Sequence, residues 1–370
     1  MTTADFHTIT AKGISATLDL RVGHIRSLVI ERDGKRIEPL HSAPWVDDPA
    51  IIGDESLLPN LRFLSGDFFC APFSTADVDG APPHGWPANS RWRLLDVTPH
   101  AAGGTTARYE LEHDVLGARL VKEFTLLDGH PFLYERHVFS GGAGALPVAN
   151  HAMLRFAAGG TLSFSPKRFA FTPATALEPD PAQGRYALAY PARFTDLTAA
   201  PLKDGGTVDL TRYPIADRHE DFAALVEEAT EGLGWATAAR ADQGDLFLSL
   251  RNVAELPITM LWFSNGGRDY APWNGRHVGV LGIEEGRTFA GAGHRASINP
   301  NALTEEGIPT ALELVPEGEV SVGNVIGAVP LPAGWGKIAS IVANGGLLAI
   351  TGESGEKIEL PFDARFLGTL

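Results

Sequence analysis

The chain has 370 residues, enough for a large core or two domains, and its 41 Gly and 26 Pro sit among evenly spread aliphatic and aromatic residues. That mix fits many short strands joined by tight turns, and excludes a disordered chain. Lys and Arg number 30 against 45 Asp and Glu, a net charge of -15. Such a surface repels nucleic acid and anionic membrane, so neither is an expected partner, and a strongly anionic substrate would need a local Arg cluster to overcome the field. The lone cysteine, Cys70, rules out a disulfide framework within one chain. Met1–Thr10 lacks a basic region followed by an apolar one, and no uncharged apolar run reaches membrane-spanning length. The expectation is a soluble, cytoplasmic protein.

Residues 14–40 read as successive strands, with Asp33-Gly34 as a hairpin signal between two apolar runs. Residues 41–59 are loop-like; His41 falls there without an assigned role. In NLRFLSGDFFCAPF, the Gly66-Asp67 pair inside an aromatic run suggests a bend or a close backbone approach. Arg62 opens this stretch, either as a surface charge or as part of a site. PPHGWPANSRW holds His84 between Pro83 and Gly85, a rigid loop position that suits either a functional or a surface histidine. Residues 91–139 alternate as an antiparallel meander. LPVANHAMLRF places Asn150 and His151 at the entrance of a buried run.

Residues 161–217 are less periodic and read as loops and short strands. HEDFAALVEEATEGLGWATAAR is compatible with an amphipathic helix by composition, while Gly232 and Gly234 make two strands at least as good a reading. LFLSLRN and LPITMLWFSNGG are strands, and RDYAPWNGRH is a loop carrying Trp273. His277–Ile283 reads as a buried strand ending in Glu284 and Glu285. Strand side chains alternate, so one of these carboxylates follows the inner face and the other leans out. Glu284 is taken as the inner one; the plain alternative is a strand-end carboxylate in water or in an ion pair with Arg276 or Arg287. The segment 312–370 reads as short strands. There is no internal repeat and no linker long enough to mark a domain boundary.

No metal-ligand spacing, phosphate loop, dinucleotide fingerprint or nucleophile elbow is present. What remains is a constellation of Glu284, His84, His151 and Arg62, with loop tryptophans whose faces suit sugar rings. Carboxylate plus imidazole suits proton transfer near neutral pH.

RFLSGDFFCAPF, PPHGWPANSRW, LPVANHAMLRF and VLGIEEG, in that order, resemble the aldose 1-epimerase (galactose mutarotase-like) superfamily. The resemblance implies an all-β fold, a large antiparallel β-sandwich (supersandwich) forming a single domain over residues 1–370. It implies an isomerase that interconverts sugar anomers with no cofactor and no metal. Carried over residue by residue, Glu284 is the base and His151, as imidazolium, the acid. His84 and Arg62 hold hydroxyls, with Trp273 in the binding loop. Asp221 stands as a weak counterpart of the family's sugar-binding Asp. The implied partner is a small-molecule sugar or sugar phosphate; Arg91 and Arg93 leave room for the latter. Two other readings stay open. One is a non-catalytic carbohydrate-binding protein on the same fold. The other is a carbohydrate-cleaving enzyme, which needs a second carboxylate facing Glu284, with Asp67 as the nominee. Oligomeric state is not legible.

Overall fold

Alternation along one strand shows how the molecule is layered. In Val280–Arg287, Leu281 and Ile283 point into the core between two large sheets, while Val280 and Glu284 point to the opposite face. The computed structural model describes residues 5–369, so the leader reading of Met1–Thr10 lies partly outside the described residues.

A seven-stranded antiparallel sheet has the order Ala192–Phe194, Lys167–Thr172, His219–Glu227, Ile258–Asn265, Val280–Arg287, Val148–Arg155, Phe69–Cys70. A nine-stranded sheet shares its core. It is centred on Asp245–Asn252, Glu319–Pro330 and Phe132–Gly141 and ends in the meander Ala118–Leu127, Gly104–Leu111, Trp92–Pro99. An N-terminal four-stranded sheet, Phe6–Ala11 to Lys35–Ile37, joins that core through Ile9, Leu18 and Leu28. Its last hairpin pairs Arg32 with Lys35 around Asp33-Gly34, at φ 52° and 73°. Both central residues are left-handed, the conformation a two-residue hairpin turn demands. The C-terminal sheet, Ile338–Asn344 to Lys357–Pro361, covers the other face of the nine-stranded sheet through Ile341, Leu348, Ile350 and Leu360. The all-β sandwich architecture expected from the sequence is therefore present.

Some local expectations change. HEDFAALVEEATEGLGWATAAR forms two strands, His219–Glu227 and Leu233–Arg240, not a helix. The strand expected from His277 begins at Val280. Residues 41–59 include the short helix Pro49–Ile52, capped by the Asp48 side chain. The C-terminal part is not all short strands: Glu319–Pro330 has 12 residues and lies near the middle of the nine-stranded sheet.

Glu285 does not lean out. Both faces of its strand are covered, and it is as buried as Glu284. It points into the inter-sheet core, where Arg251 Nη1 lies 2.8 Å from its Oε2 and Thr259 donates at 2.9 Å. Arg251 and Lys167 both also pair with Glu227, so two cations and two carboxylates neutralise one another away from water.

Candidate active site

Two adjacent strands bring the central pair together. Val148–Arg155 runs antiparallel to Val280–Arg287 in a register that sets His151 opposite Glu284. Their side chains leave the sheet on the face away from the inter-sheet core. His151 Nε2 lies 3.2 Å from Glu284 Oε1, and both side chains are almost fully buried. Neither Arg276 nor Arg287 pairs with Glu284: Arg276 bonds the Pro272 carbonyl and Arg287 the Ala254 carbonyl.

Burial acts on both members in the direction of neutrality. It pushes the Glu284 carboxyl well above its usual range, helped by the nearby charges of Asp67 and Glu285. It pulls the His151 imidazole well below its ordinary value, helped by His84. Burial thus works against the expected imidazolium. Both shifts favour a single proton on the pair, carried by Glu284. The ion pair expected from the sequence is the tautomer of this state, with the same proton count.

The His151 ring is fixed from several sides. It stacks on Phe68 at 4.4 Å between centroids and meets the edge of Trp262 at 5.4 Å. Its backbone N–H donates to Asp67 Oδ1 at 2.7 Å. Asp67 therefore lies behind the histidine, and it does not face Glu284 across a pocket. Alternation explains the difference: Phe68 lines the pocket, whereas Asp67 is turned toward buried Glu135 and Lys122. Burial raises the Asp67 carboxyl to about 7 and lowers the Lys122 ammonium to about 8. The bend read at Gly66-Asp67 is also present. Gly66 has φ 58°, and a Cβ there would sit 1.6 Å from the Ile25 carbonyl oxygen.

His84 reaches the same pocket from its loop. Its φ of 65° is unusual for a residue with a side chain. The next residue, Gly85, presses against the chain at Ala71, where an added Cβ would lie 2.0 Å from the carbonyl oxygen. The His84 ring meets the His151 ring edge-on at 5.8 Å, and its Nδ1 lies 3.3 Å from Cys70 Sγ. Burial lowers His84 to about 4 and raises the Cys70 thiol well above its ordinary value. A neutral imidazole that accepts the thiol S–H at Nδ1 carries its own proton on Nε2.

Glu284, His151, His84 and Trp273 all line one pocket of about 690 Å³. Arg62 and Asp221 do not line it. Arg62 ends the short helix Pro59–Arg62, whose Asn60 and Leu61, with Leu64 beyond it, face the pocket. Its guanidinium turns away to the Ile52 carbonyl at 3.0 Å. Asp221 lies between Glu220 and Phe222 on its strand, and Phe222 lines the pocket; Asp221 is directed to the opposite face. There it binds the N–H groups of Ala187 and Leu188, the Tyr190 hydroxyl and His219. Arg91 and Arg93 are paired with Asp5 and Glu110 and are not part of the pocket.

Two pocket residues escaped the sequence reading. Trp262 sits in a strand that reads as ordinary core. Arg268 follows Gly266-Gly267 in a loop stretch where nothing marks it out. Arg268 lies over the Trp273 ring at 4.4 Å, donates to Glu178 at 2.7 Å and lies 3.5 Å from Glu220. Among the described residues no group of three His, Cys, Asp or Glu side chains is arranged to hold a metal ion, and no helix is long and apolar enough to cross a membrane.

Neither a family model nor a curated protein sequence matches the chain. Solved structures do. A galactose mutarotase-related enzyme of Lactobacillus acidophilus superposes with TM-score 0.51 at 12% identity, covering 88% of this chain and 98% of that one. A candidate aldose 1-epimerase of Escherichia coli K12 gives 0.52 at 13% identity, covering 88% and 99%. A candidate aldose 1-epimerase of Klebsiella pneumoniae gives 0.54 at 16% identity, covering 90% and 83%. At such identities the likeness speaks for architecture alone, and on that architecture the chain is a galactose mutarotase-like β-sandwich.

Proposed function

We propose that this chain is an aldose 1-epimerase, interconverting the anomers of a small sugar by opening and reclosing its ring. The observation that carries the reading is the buried Glu284–His151 pair, 3.2 Å apart and lining one pocket. The fold shared with mutarotase-related structures agrees with it.

Opening a hemiacetal removes a proton from the anomeric hydroxyl and delivers one to the ring oxygen. A pair sharing a single proton offers one donor and one acceptor together. A sugar seated against both groups replaces their mutual contact, and its polar atoms favour the ion-pair tautomer: Glu284 takes the hydroxyl proton and His151 protonates the ring oxygen. The aldehyde turns about its C1–C2 bond and recloses on the other face, with the roles reversed. His84, through Nε2–H, and Arg268 donate to the remaining oxygens. Each positioned acid or base contributes about 10²–10⁴ in rate, and because mutarotation already proceeds in water, factors of that size suffice.

Cleavage of a glycosidic bond fits less well. It calls for two carboxylates flanking the bond, and among the described pocket-lining residues Glu284 is the one carboxylate. The test is anomer exchange by saturation-transfer NMR over a panel of free aldoses, with wild type beside Glu284→Gln. Exchange accelerated by wild type and lost in the variant supports the proposal. Binding of sugar without acceleration overturns it and leaves a carbohydrate-binding protein.

A further inference from the structure

We infer that the site takes an uncharged, hydroxyl-poor aldose, of the deoxyhexose class, in preference to a fully hydroxylated hexose or a hexose phosphate. This rests on the epimerase reading and specifies its substrate.

Eight large apolar side chains line the pocket. Some of them can serve as platforms for a ring face: Trp262 and Trp273 are indoles, and the Trp262 N–H is already taken by Glu220. Leu61, Leu64 and Leu177 offer no flat face and no polar atom. Glu284 and His151 are committed to the anomeric hydroxyl and the ring oxygen. For every other hydroxyl of the sugar the pocket presents His84, Arg268, Asn60 and Ser74. The two further polar groups that the sequence suggested, Arg62 and Asp221, are turned elsewhere. A hydroxyl directed at an aliphatic wall gives up its water without a new partner, whereas a methyl or methylene there gains by burial.

Charge excludes the phosphate. The one cation lining the pocket is Arg268. Glu178 takes its Nε–H, Glu220 lies beside its Nη1, and its plane is spread over Trp273. It can donate to a hydroxyl, but its charge is already met by carboxylates. A phosphate dianion would enter a pocket with no uncompensated positive charge, next to Glu284, on a protein of net charge -15.

The test ranks sugars on the wild-type protein, so no variant has to fold. Anomer exchange is measured for L-fucose, L-rhamnose and 2-deoxy-D-glucose beside D-galactose, D-glucose and D-glucose 6-phosphate. The best deoxy sugar is expected to exceed the best hexose about 10–100-fold in kcat/KM, the range over which an apolar pocket discriminates against an added hydroxyl. The phosphate is expected to be slowest. A parent hexose or the phosphate at the top of the ranking overturns the inference while leaving the epimerase reading intact. If no sugar exchanges faster, the epimerase reading fails, and quenching of Trp262 and Trp273 fluorescence ranks binding of the same six sugars instead. Tighter binding of a deoxy sugar then supports the pocket assignment; tighter binding of a hexose or of the phosphate, or no binding at all, overturns it.

Discussion

His151 and Glu284 face one another across neighbouring antiparallel strands, in register, with Nε2 and Oε1 3.2 Å apart and almost no access to water. Two paired strands thus hold a carboxyl and an imidazole at fixed separation, the arrangement that the proposed acid–base chemistry calls for. Glu284→Gln keeps the shape and removes the proton acceptor. It is expected to lower the anomer-exchange rate about 10²–10⁴-fold, and His151→Gln by a similar factor. Because the two act as a unit, the double variant should be little worse than either single one. Losses that multiply in the double variant would show two independent groups in place of a pair.

The proton count of the pair also fixes how stability responds to pH. Glu284 has a folded pKa above its unfolded value of 4.5, and His151 has one below its unfolded value of 6.5. Between those two values the unfolded chain carries its proton on the histidine, and the raised Glu284 carboxyl gives the folded chain one to match. The counts match, so the pair contributes no slope there. As pH rises past 6.5 the unfolded chain loses that proton, and stability falls with pH for as long as the folded chain keeps its own on Glu284. Glu284→Gln removes this loss. The variant should therefore gain on wild type by up to about 1.4 kcal/mol per pH unit above pH 6.5. Urea unfolding at pH 6, 7 and 8 checks this; parallel stability curves for the two proteins would contradict a protonated Glu284.

Asp67 sets the field behind the pair. Its Oδ1 accepts the His151 N–H at 2.7 Å, and its negative charge opposes ionisation of Glu284. Asp67→Asn keeps an oxygen for that hydrogen bond and deletes the charge. The Glu284 proton should then leave at lower pH, and the high-pH limb of kcat/KM should shift down. Since the Asp67 carboxyl itself is raised to about 7, the difference from wild type should widen above that pH. An unshifted limb would reduce Asp67 to a backbone acceptor. Asp67→Ala removes the acceptor as well and should cost about 1–3 kcal/mol of stability.

The reach of the sequence is clear from single residues. Period-two alternation separates Glu284 from Glu285, and it cannot tell that both faces of their strand are covered. Glu285 is supported by Arg251, which comes from a strand on the facing sheet and carries no local mark. Asp33-Gly34 dictates its own turn because only two backbone angles decide it. Arg62 and Asp221 are different: one helical step or one strand position turns each side chain out of the pocket, and short motifs do not resolve that. Arg268 is the converse case. A buried guanidinium needs partners to be tolerable, and Glu178 and Glu220 are 90 and 48 residues away in the chain. The separation hides the reason for the arginine until the sheets have formed.

Cys70 lies against the His84 ring, with its Sγ 3.3 Å from Nδ1. A thiol that donates to Nδ1 of His84 keeps the His84 proton on Nε2. Removing the donor lets the ring take the other tautomer and leaves a buried nitrogen without a partner. Cys70→Ala should lower kcat/KM about 2–12-fold, the equivalent of one ordinary hydrogen bond. Cys70→Ser restores a donor at nearly the same place and should recover most of the loss. Nitrogen-15 spectra of the His84 ring separate this from simple loosening of the core. Wild type and Cys70→Ser should show the Nε2–H form, while Cys70→Ala should show a mixture. A pure Nε2–H form in all three would mean that the strained His84 backbone, and not the thiol, orients the ring.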